Sequence, residues 1–534
     1  MALPEPFTRG TFLVDLANSR QEAVLRRVLT ERNVINTPFN RVWNILRNSG
    51  CEGGKNCRFV VLEAEYVDRD YAEGYGQLYG RAFRHFERLC YRLHFFADGI
   101  KQEDFDITSL SSEQGKEKRD KLCQCYMGFA VIRPSCPDTV GRTVILPPKS
   151  TGRNSFALCR CEYSLNLAGI TLKATGVPFM EQDGMVGACA SAAMWMAHMC
   201  VYKDRGLPTY STTEITRLAD VGFPSPSRVF PSEGLTVDQV GAGLKRMGHE
   251  TFVRLLSSAR PETVRHWIYI HVESCIPTIL ATEEEGVGHA VVVVGHRLGG
   301  ANLRRPTYQL TTGDKIYSAH CWSSEILVHD DQRGPYLTST IVSTRRQEPR
   351  ASLRYRPSDL VEQAGRNPRL DILAAIVLLP PHVNCDGLRA ERKAVRLLNW
   401  LILDGSINLG KEQRLVVRTF LLPSNEFKEK LDASRGMTKP LITKYRYLHL
   451  PKYLWMTEWT TLQLWGRPIE QKRILGEVLI DPTSNPNNLD FLAFHVPGKL
   501  YFMHPEERDA TVGLSRPVDI PNDTSYSPLT RPAS

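Results

Sequence analysis

The chain has 534 residues, a hydrophobic content of 42% and a formal net charge of +9, with a pI near 8.9. This length and apolar fraction suffice for two or three globular domains, and the mild, interspersed charge gives no indication of nucleic-acid binding. The sequence starts without a basic segment followed by an apolar core, and no apolar run approaches the roughly 18 residues of a membrane span, so we expect a cytoplasmic protein without a membrane or nucleic-acid partner.

Residues 1–150 are predicted to form an N-terminal α+β region whose role the sequence does not assign. Within it, the segment 75–96 places tyrosine, phenylalanine and leucine side chains at helical spacing, with arginines elsewhere, and this pattern predicts a packed helix. A basic amphipathic helix on a membrane surface is the alternative. Two strands are predicted next, over 121–134, ending at Pro134, and over 141–148.

Thirteen cysteines, an odd number at irregular spacing, indicate reduced thiols rather than a disulfide framework. Two CxC pairs, Cys123 with Cys125 and Cys159 with Cys161, allow a zinc site if both pairs lie on neighbouring strands. Structural zinc sites favour two to four residues between paired cysteines, so we do not assign a metal here.

One stretch of the middle region, residues 181–199, carries the first chemical signal. Cys189 stands where a Gly-containing turn becomes an alanine- and methionine-rich helix. The first backbone N–H groups of a helix have no intrahelical partner and the helix dipole is positive there, so a thiol in this place loses its proton more easily. Cys189 is therefore a candidate nucleophile, whereas His198, half a turn round the helix from it, is interpreted as structural.

A thiolate nucleophile needs an imidazole to handle its proton and a third group to orient that imidazole. His289 opens a buried strand of four valines, after a predicted strand over 277–281 and an acidic turn with glycine. Asp330 ends the apolar strand that begins near residue 326, with Asp331 as its alternative. His296 falls on the opposite face of its strand from His289, which indicates another role.

Gln182, Cys189, His289 and Asp330 follow one another in the chain order of the papain-like cysteine peptidase superfamily. The segment 288–295, GHAVVVVG, resembles the histidine strand of its bacterial C39-like branch, and the likeness covers about residues 175–345. It implies an α+β domain in which a helical half carries the nucleophile helix and an antiparallel-sheet half carries the histidine and the carboxylate. The predicted boundaries of this domain are 151 and 345.

The resemblance also implies the chemistry. Cys189 would be the nucleophile, His289 the base, Asp330 the residue that fixes the imidazole, and Gln182, seven residues before Cys189, part of the oxyanion hole. The implied function is a cysteine peptidase (thiol protease) acting on a protein or peptide substrate, with no metal and no cofactor. An acyltransferase or transglutaminase-like enzyme with the same triad, and a catalytically silent scaffold, are the alternatives. The oligomeric state is not predicted.

Residues 346–505 are predicted to be a C-terminal α+β region of unassigned role. Its strongest patterns are an apolar strand or short helix over 371–383, a helix over 387–406, a strand over 414–423 and a strand pair after residue 474. The aromatic-rich segment 445–465 is interpreted as the edge of a core, with a stacking surface as the alternative. Residues 506–534, polar and rich in proline, are expected to be a disordered tail.

Overall fold

A computed structural model of the chain describes residues 10–31, 36–77, 79–81, 83, 85–105, 111–134, 139–149, 155–157, 159–183, 189–221, 234–344, 350–360, 368–407, 414–484, 491–503 and 517–529. The chain forms two compact units. Unit 1 comprises Met1–Ala259, Ile276–Gly295 and Glu325–Leu378, and unit 2 comprises Arg260–Cys275, His296–Ser324 and Leu379–Ser534. No helix in the described ranges is long and apolar enough to cross a membrane.

Helices and strands are numbered along the chain. The helices are α1 (Ser19–Glu31), α2 (Thr37–Asn44), α3 (Arg69–Gln77), α4 (Glu113–Cys125), α5 (Cys189–Arg205), α6 (Thr212–Asp220), α7 (Val237–Arg246), α8 (Pro261–Glu273), α9 (Gly387–Leu403), α10 (Ser424–Lys430), α11 (Lys439–Tyr447) and α12 (Leu462–Trp465). The strands are β1 (Thr11–Asp15), β2 (Cys57–Tyr66), β3 (Cys90–Ala97), β4 (Tyr126–Ile132), β5 (Val140–Ile145), β6 (Ser155–Ala157), β7 (Cys161–Leu167), β8 (Ile170–Gly176), β9 (Glu250–Leu255), β10 (Thr278–Glu284), β11 (Val287–Leu298), β12 (Tyr308–Gln309), β13 (Lys315–Ser318), β14 (Ser323–Asp330), β15 (Gly334–Ser343), β16 (Ala351–Tyr355), β17 (Arg369–Leu379), β18 (Arg414–Pro423), β19 (Tyr453–Thr461), β20 (Gly476–Ile480), β21 (Ala493–Val496), β22 (Lys499–Phe502) and β23 (Val518–Asp519). Helix and sheet segments occur throughout, as the predicted α+β class requires.

The N-terminal part of unit 1 is an antiparallel sheet in the order β1-β2-β3-β4-β5. The helix predicted over 75–96 is wrong, because residues 90–96 belong to the central strand β3. This strand is buried on both faces, and such a strand reads as a continuous apolar run that periodicity alone does not separate from a helix. The strand predicted over 121–134 begins only at Tyr126, since residues 113–125 form α4, capped by Ser112.

Helix α5 is the buried centre of the next part of unit 1. Its residues from Ala190 to Val201 are buried on every side, which explains why the run lacks an amphipathic pattern. Helix α7 packs closely against α5 because Gly243 has no side chain. A Cβ at Gly243 would lie 2.8 Å from Met194 Cε of α5. Helices α6 and α7 both begin with a complete capping box.

The second sheet of unit 1 runs in the order β10-β11-β14-β15-β16-β17, and a further pairing between β10 and β17 closes it on itself. The predicted hairpin before and after residue 285 is confirmed as β10 and β11. Glu285 and Gly286 at its tip both have positive φ, 51° and 88°, as a two-residue hairpin turn requires. In the resulting register Thr282 faces His289.

Unit 2 is built on a sheet in the order β12-β13-β18-β19-β20-β21-β22-β23, in which β13 and β18 are parallel. Helices α8 and α9 pack against it. The predicted helix over 387–406, the strand over 414–423 and the strand pair after residue 474 are confirmed. Trp455 and Trp459 of β19 are buried, so that aromatic segment contributes to a core rather than to a stacking surface.

The division into units differs from the predicted boundaries at 151 and 345. Strands β16 and β17 belong to the closed sheet of unit 1, because β16 pairs with β15. Part of the segment expected to be a disordered tail is packed in unit 2: Tyr526 and Leu529 are buried, and the backbone of Tyr526 pairs with that of Ile474. Residues 506–516 and 530–534 of the tail lie outside the described ranges.

Candidate active site

Cys189 is the first residue of α5 and is partly exposed, while the residues that follow it are buried. The sulfur is therefore held at the positive end of a 17-residue helix that packing fixes in place. The predicted Gly-containing turn at residues 184–188 lies outside the described ranges.

His289 is buried, with 7% of its surface exposed, and is held in the hairpin by the hydrogen bond from Thr282 Oγ1 to its carbonyl oxygen, 2.9 Å. Its Nε2 lies 3.1 Å from Asp330 Oδ1. The other ring nitrogen, Nδ1, is buried and has no regular hydrogen bond to a described residue. The Cys189 side chain is nevertheless near enough to contribute to the raised pKa of the ring. Since Nε2 faces the carboxylates, Nδ1 is the nitrogen left for the thiol.

Asp330 ends β14 and is completely buried. Besides His289, three donors reach its carboxylate: the backbone N–H of Gln332 at 3.0 Å, Arg333 Nη1 at 2.9 Å and Tyr355 Oη at 2.7 Å. Burial alone would raise the pKa of Asp330, but the attraction of His289 and Arg333 outweighs it and holds the pKa below its ordinary value. Asp330 is thus a fixed negative charge behind the imidazole.

The same pair determines the charge of His289. Burial lowers the pKa of the imidazole, but the Asp330 carboxylate, through its charge and its hydrogen bond, and the contact with Cys189 together raise it to about 11. The ring is consequently an imidazolium at neutral pH.

Asp331 also faces the imidazole, with Oδ1 3.7 Å from His289 Nε2, but its surroundings differ from those of Asp330. It is buried, and neither of its oxygens has a hydrogen-bond partner among the described residues. Burial, followed by the repulsion of Asp330, raises the pKa of Asp331 in spite of the attraction of His289. Of the two carboxylates, Asp330 is therefore the one that lies within hydrogen-bonding distance of the imidazole.

His289, Asp330 and Asp331 are, within the described ranges, the one group of ligand-type side chains close enough together to share a metal ion. Arg333 argues against a cation there, because its guanidinium already donates to Asp330. The CxC pairs form no such group among the described residues. Cys123 and Cys125 lie in the last turn of α4 instead of on a strand, so the geometry required for a shared zinc ion does not arise.

Gln182 is half-buried and lies between two buried acidic residues. The carboxylate of Glu181 accepts two hydrogen bonds from Asn36 Nδ2, 2.7 and 2.9 Å. Asp183 accepts from the hydroxyl of Tyr79, and its carboxylate lies 3.9 Å from Arg133 Nη1. Glu181 and Asp183, on either side of Gln182, are therefore held in place, but no hydrogen bond or ion pair among the described residues joins Gln182 to Cys189, His289 or Asp330.

The two neighbouring histidines have structural partners, as their spacing indicated. His198 lies against His249 and the carbonyl oxygen of Pro208, 2.9 and 2.8 Å away. His296 Nε2 lies 2.7 Å from Glu273 Oε2. These contacts join neither histidine to Cys189 or His289.

Arg333 and Tyr355 are residues of the site that the sequence reasoning missed. Arg333 also reaches Glu284 Oε2 at 2.6 Å, and so joins the end of β10 to the carboxylate at the end of β14. Its position three residues after Asp330 was a local signal that could have been used. Tyr355 had none, because only the pairing of β15 with β16 brings that strand near the site.

Comparison with known proteins gives little beyond this geometry. No family profile matches the sequence, and no curated protein matches it. Among solved structures, the peptidase domain of Streptococcus ComA, a bifunctional ABC transporter involved in quorum sensing, is similar at 13% sequence identity and a TM-score of 0.20. That match covers 38% of this chain and 96% of the other.

Proposed function

We propose that unit 1 is a cysteine peptidase-like hydrolase with a papain-like site composed of Cys189, His289 and Asp330. The observation that carries the proposal is the pair formed by His289 and Asp330, in which Nε2 lies 3.1 Å from Oδ1, together with the nearby Cys189 side chain, which contributes to the raised pKa of the same ring. This supports the proposal, because a carboxylate that holds an imidazolium near a thiol favours the thiolate form of a cysteine nucleophile.

In the proposed reaction the thiolate of Cys189 attacks a peptide or isopeptide carbonyl and forms a carbon–sulfur bond. The resulting oxyanion is stabilised by the backbone N–H of Cys189 and the amide of Gln182. His289 gives its proton to the leaving amine, and the carbon–nitrogen bond breaks to leave a thioester. Water, deprotonated by His289, then hydrolyses the thioester and restores the thiolate. Asp330 keeps the ring oriented and cationic until the proton is needed.

The first test is chemical and requires no known substrate. Iodoacetamide should alkylate Cys189 faster than the exposed thiol of Cys123, with both thiols followed by mass spectrometry of the intact chain. The substitution His289→Ala should reduce the alkylation rate of Cys189 and leave that of Cys123 unchanged. Equal rates for the two thiols in the wild type would contradict a nucleophilic Cys189.

The second test identifies the reaction. A peptide mixture of known composition is incubated with the wild type, with Cys189→Ala and with the control Cys123→Ala, and new termini are counted by mass spectrometry. We expect new termini with the wild type and the control, and none with Cys189→Ala. Incorporation of an added alkylamine without new termini would show acyl transfer in place of hydrolysis. A selectively alkylated protein that yields neither product would support a binding scaffold.

A further inference from the structure

Helix α2, in the N-terminal part of unit 1, is capped by a residue that also contacts Glu181, directly before Gln182. Asn36 caps the helix, because its Oδ1 accepts a hydrogen bond from Phe39 N at 3.0 Å. Its amide nitrogen points the other way and donates to both carboxylate oxygens of Glu181, at 2.7 and 2.9 Å. One side chain thus ties the start of α2 to the residue directly before Gln182.

Further hydrogen bonds hold both the side chain and the backbone of Glu181. Its Oε2 also accepts from Val140 N at 2.8 Å, and its backbone N–H donates to Val140 O at 3.0 Å. Arg133 Nη2 donates to its carbonyl oxygen at 3.1 Å. Because that carbonyl belongs to the peptide bond with Gln182, the direction of the Gln182 backbone depends on these contacts.

Helix α2 also contacts the chain a few residues after Asp330 in sequence. Arg41, with 3% of its surface exposed, donates through Nε to Pro335 O at 3.3 Å and through Nη2 to Tyr336 O at 2.9 Å. Gly334 makes this approach possible, since a Cβ there would lie 2.6 Å from Arg41 Cβ. The same helix therefore holds the chain shortly after the Asp330 carboxylate and the chain directly before Gln182.

We infer that α2 is a positioning element of the site: Asn36 sets Gln182 through Glu181, and Arg41 sets the start of β15, which follows Asp330 after a short turn. The inference rests on the proposed function, in which Gln182 stabilises an oxyanion. It assigns a role to the N-terminal region, as a permanent part of the catalytic unit. Neither Asn36 nor Arg41 touches a reacting atom, so both act through the residues they hold.

The test uses Asn36→Asp, which separates capping from positioning. Aspartate is as good an N-cap as asparagine, but it cannot donate to Glu181 and places a second negative charge beside it. The matched control is Asn18→Asp, because Asn18 caps α1 in the same way, accepting from Arg20 N at 3.1 Å, and is exposed. Both variants change the net charge equally.

Two reactions of the full-length chain are compared. Acetylation of Cys189 by p-nitrophenyl acetate, followed by release of p-nitrophenolate, passes through a tetrahedral oxyanion, whereas alkylation by iodoacetamide does not. We expect Asn36→Asp to slow acetylation about ten- to a hundredfold, the range for a misplaced oxyanion donor. Its alkylation rate should stay within about twofold of the wild type, and Asn18→Asp should leave both rates unchanged.

A rescue variant distinguishes a loss of positioning from misfolding of the protein. In Asn36→Asp combined with Glu181→Gln, the new amide donates to the new carboxylate, so the pair is restored with donor and acceptor exchanged. Recovery of most of the acetylation rate supports positioning through this contact. Unchanged acetylation in Asn36→Asp, or an equal loss in Asn18→Asp, overturns the inference. Failure of the proposed function looks different, because the wild type itself would then show neither acetylation nor selective alkylation of Cys189.

Discussion

Asp330 and Asp331 are adjacent in sequence and approach the same nitrogen of His289, yet only Asp330 is satisfied. Asp330 accepts hydrogen bonds from a backbone N–H, a guanidinium, a phenol and the imidazole. Asp331, 3.7 Å from the same Nε2, has no hydrogen-bond partner within the described part of the chain. The two carboxyl groups are therefore expected to differ in charge as well as in role, and each can be removed separately.

Asp330→Asn should shift the alkaline limb of the pH profile downward. The amide keeps an acceptor for His289 Nε2 but loses the charge that raises the pKa of the imidazole. In the proposed mechanism the imidazolium of His289 protonates the leaving amine, and it would then be lost at a pH lower by about one to three units, the usual effect of one nearby opposite charge. The measurement is kcat/KM against pH with a peptide that the wild type cleaves. An unchanged alkaline limb would show that Asp330 does not control the charge of His289.

Asp331→Asn should stabilise the fold at neutral pH. Because the pKa of Asp331 is raised in the folded state, the native protein keeps a proton that the unfolded chain has released. The free energy of unfolding therefore falls as pH rises from about 4 toward the folded-state value, by roughly 1.4 kcal/mol per pH unit. The substitution removes this dependence, so the gain in urea midpoint should be larger at pH 7 than at pH 4.5. A gain of equal size at both values would contradict the assignment.

The three central residues of the candidate site each have a local sequence signal. A helix start, a hairpin and a strand end are visible in short stretches around Cys189, His289 and Asp330. Asn36 and Arg41 have no such signal, since their partners Glu181 and Tyr336 lie 145 and 295 residues away. Contacts of this length depend on how the closed sheet and the N-terminal sheet pack, which periodicity does not encode.

The errors in secondary structure have the same origin. The apolar residues of β3 recur at spacings that satisfy a helix as well as a strand, and only its pairing with both β2 and β4 decides between them. The predicted boundary near residue 345 fell in a polar segment inside the sheet of unit 1. The chain returns after that segment as β16 and β17, which complete the closure.

A chain of hydrogen bonds that joins two residues of α5, His198 and Arg205, through His249 should make unit 1 sensitive to acid. His198 donates to Pro208 O, so its other nitrogen accepts from His249, whose remaining nitrogen accepts from Arg205 Nη1 at 2.8 Å. Burial lowers the pKa of His198 to about 4, and burial together with Arg205 lowers that of His249 to about 2. Both rings are therefore neutral in the native state.

The unfolded chain binds protons at both histidines below about pH 6.5, whereas the native state does not. The free energy of unfolding should consequently decrease as pH falls from 6.5 to 4.5, by up to about 1.4 kcal/mol per pH unit for each ring. His249→Gln removes one titrating group and should flatten this decrease, although it lowers stability at pH 7. Urea midpoints at four pH values test this, and a steeper slope in the variant would contradict it.

Arg418 should be essential to unit 2, because it neutralises two buried carboxylates. Its guanidinium donates to Glu273 Oε1 at 2.6 and 2.8 Å and to Glu458 Oε2 at 2.9 Å. Removing the cation from a buried ion pair typically costs 3 to 5 kcal/mol, roughly, since the remaining charge has no solvent. Arg418→Met should therefore lower the midpoint of the transition that exposes the buried Trp455 and Trp459, followed by tryptophan fluorescence.

The same variant makes a prediction about pH that a loss of packing alone would not. Without Arg418, Glu458 is buried without a cation and Glu273 keeps only His296 as a partner, so the pKa values of both carboxyl groups rise and the native state binds protons that the unfolded chain has lost. The destabilisation should then be greater at pH 8 than at pH 5. Arg467→Met, an exposed position of the same unit, is the matched control and should change stability by less than about 0.5 kcal/mol at either pH. An equal loss at both pH values would mean that methionine fails to fill the space, and that the charge of Arg418 is not what stabilises this core.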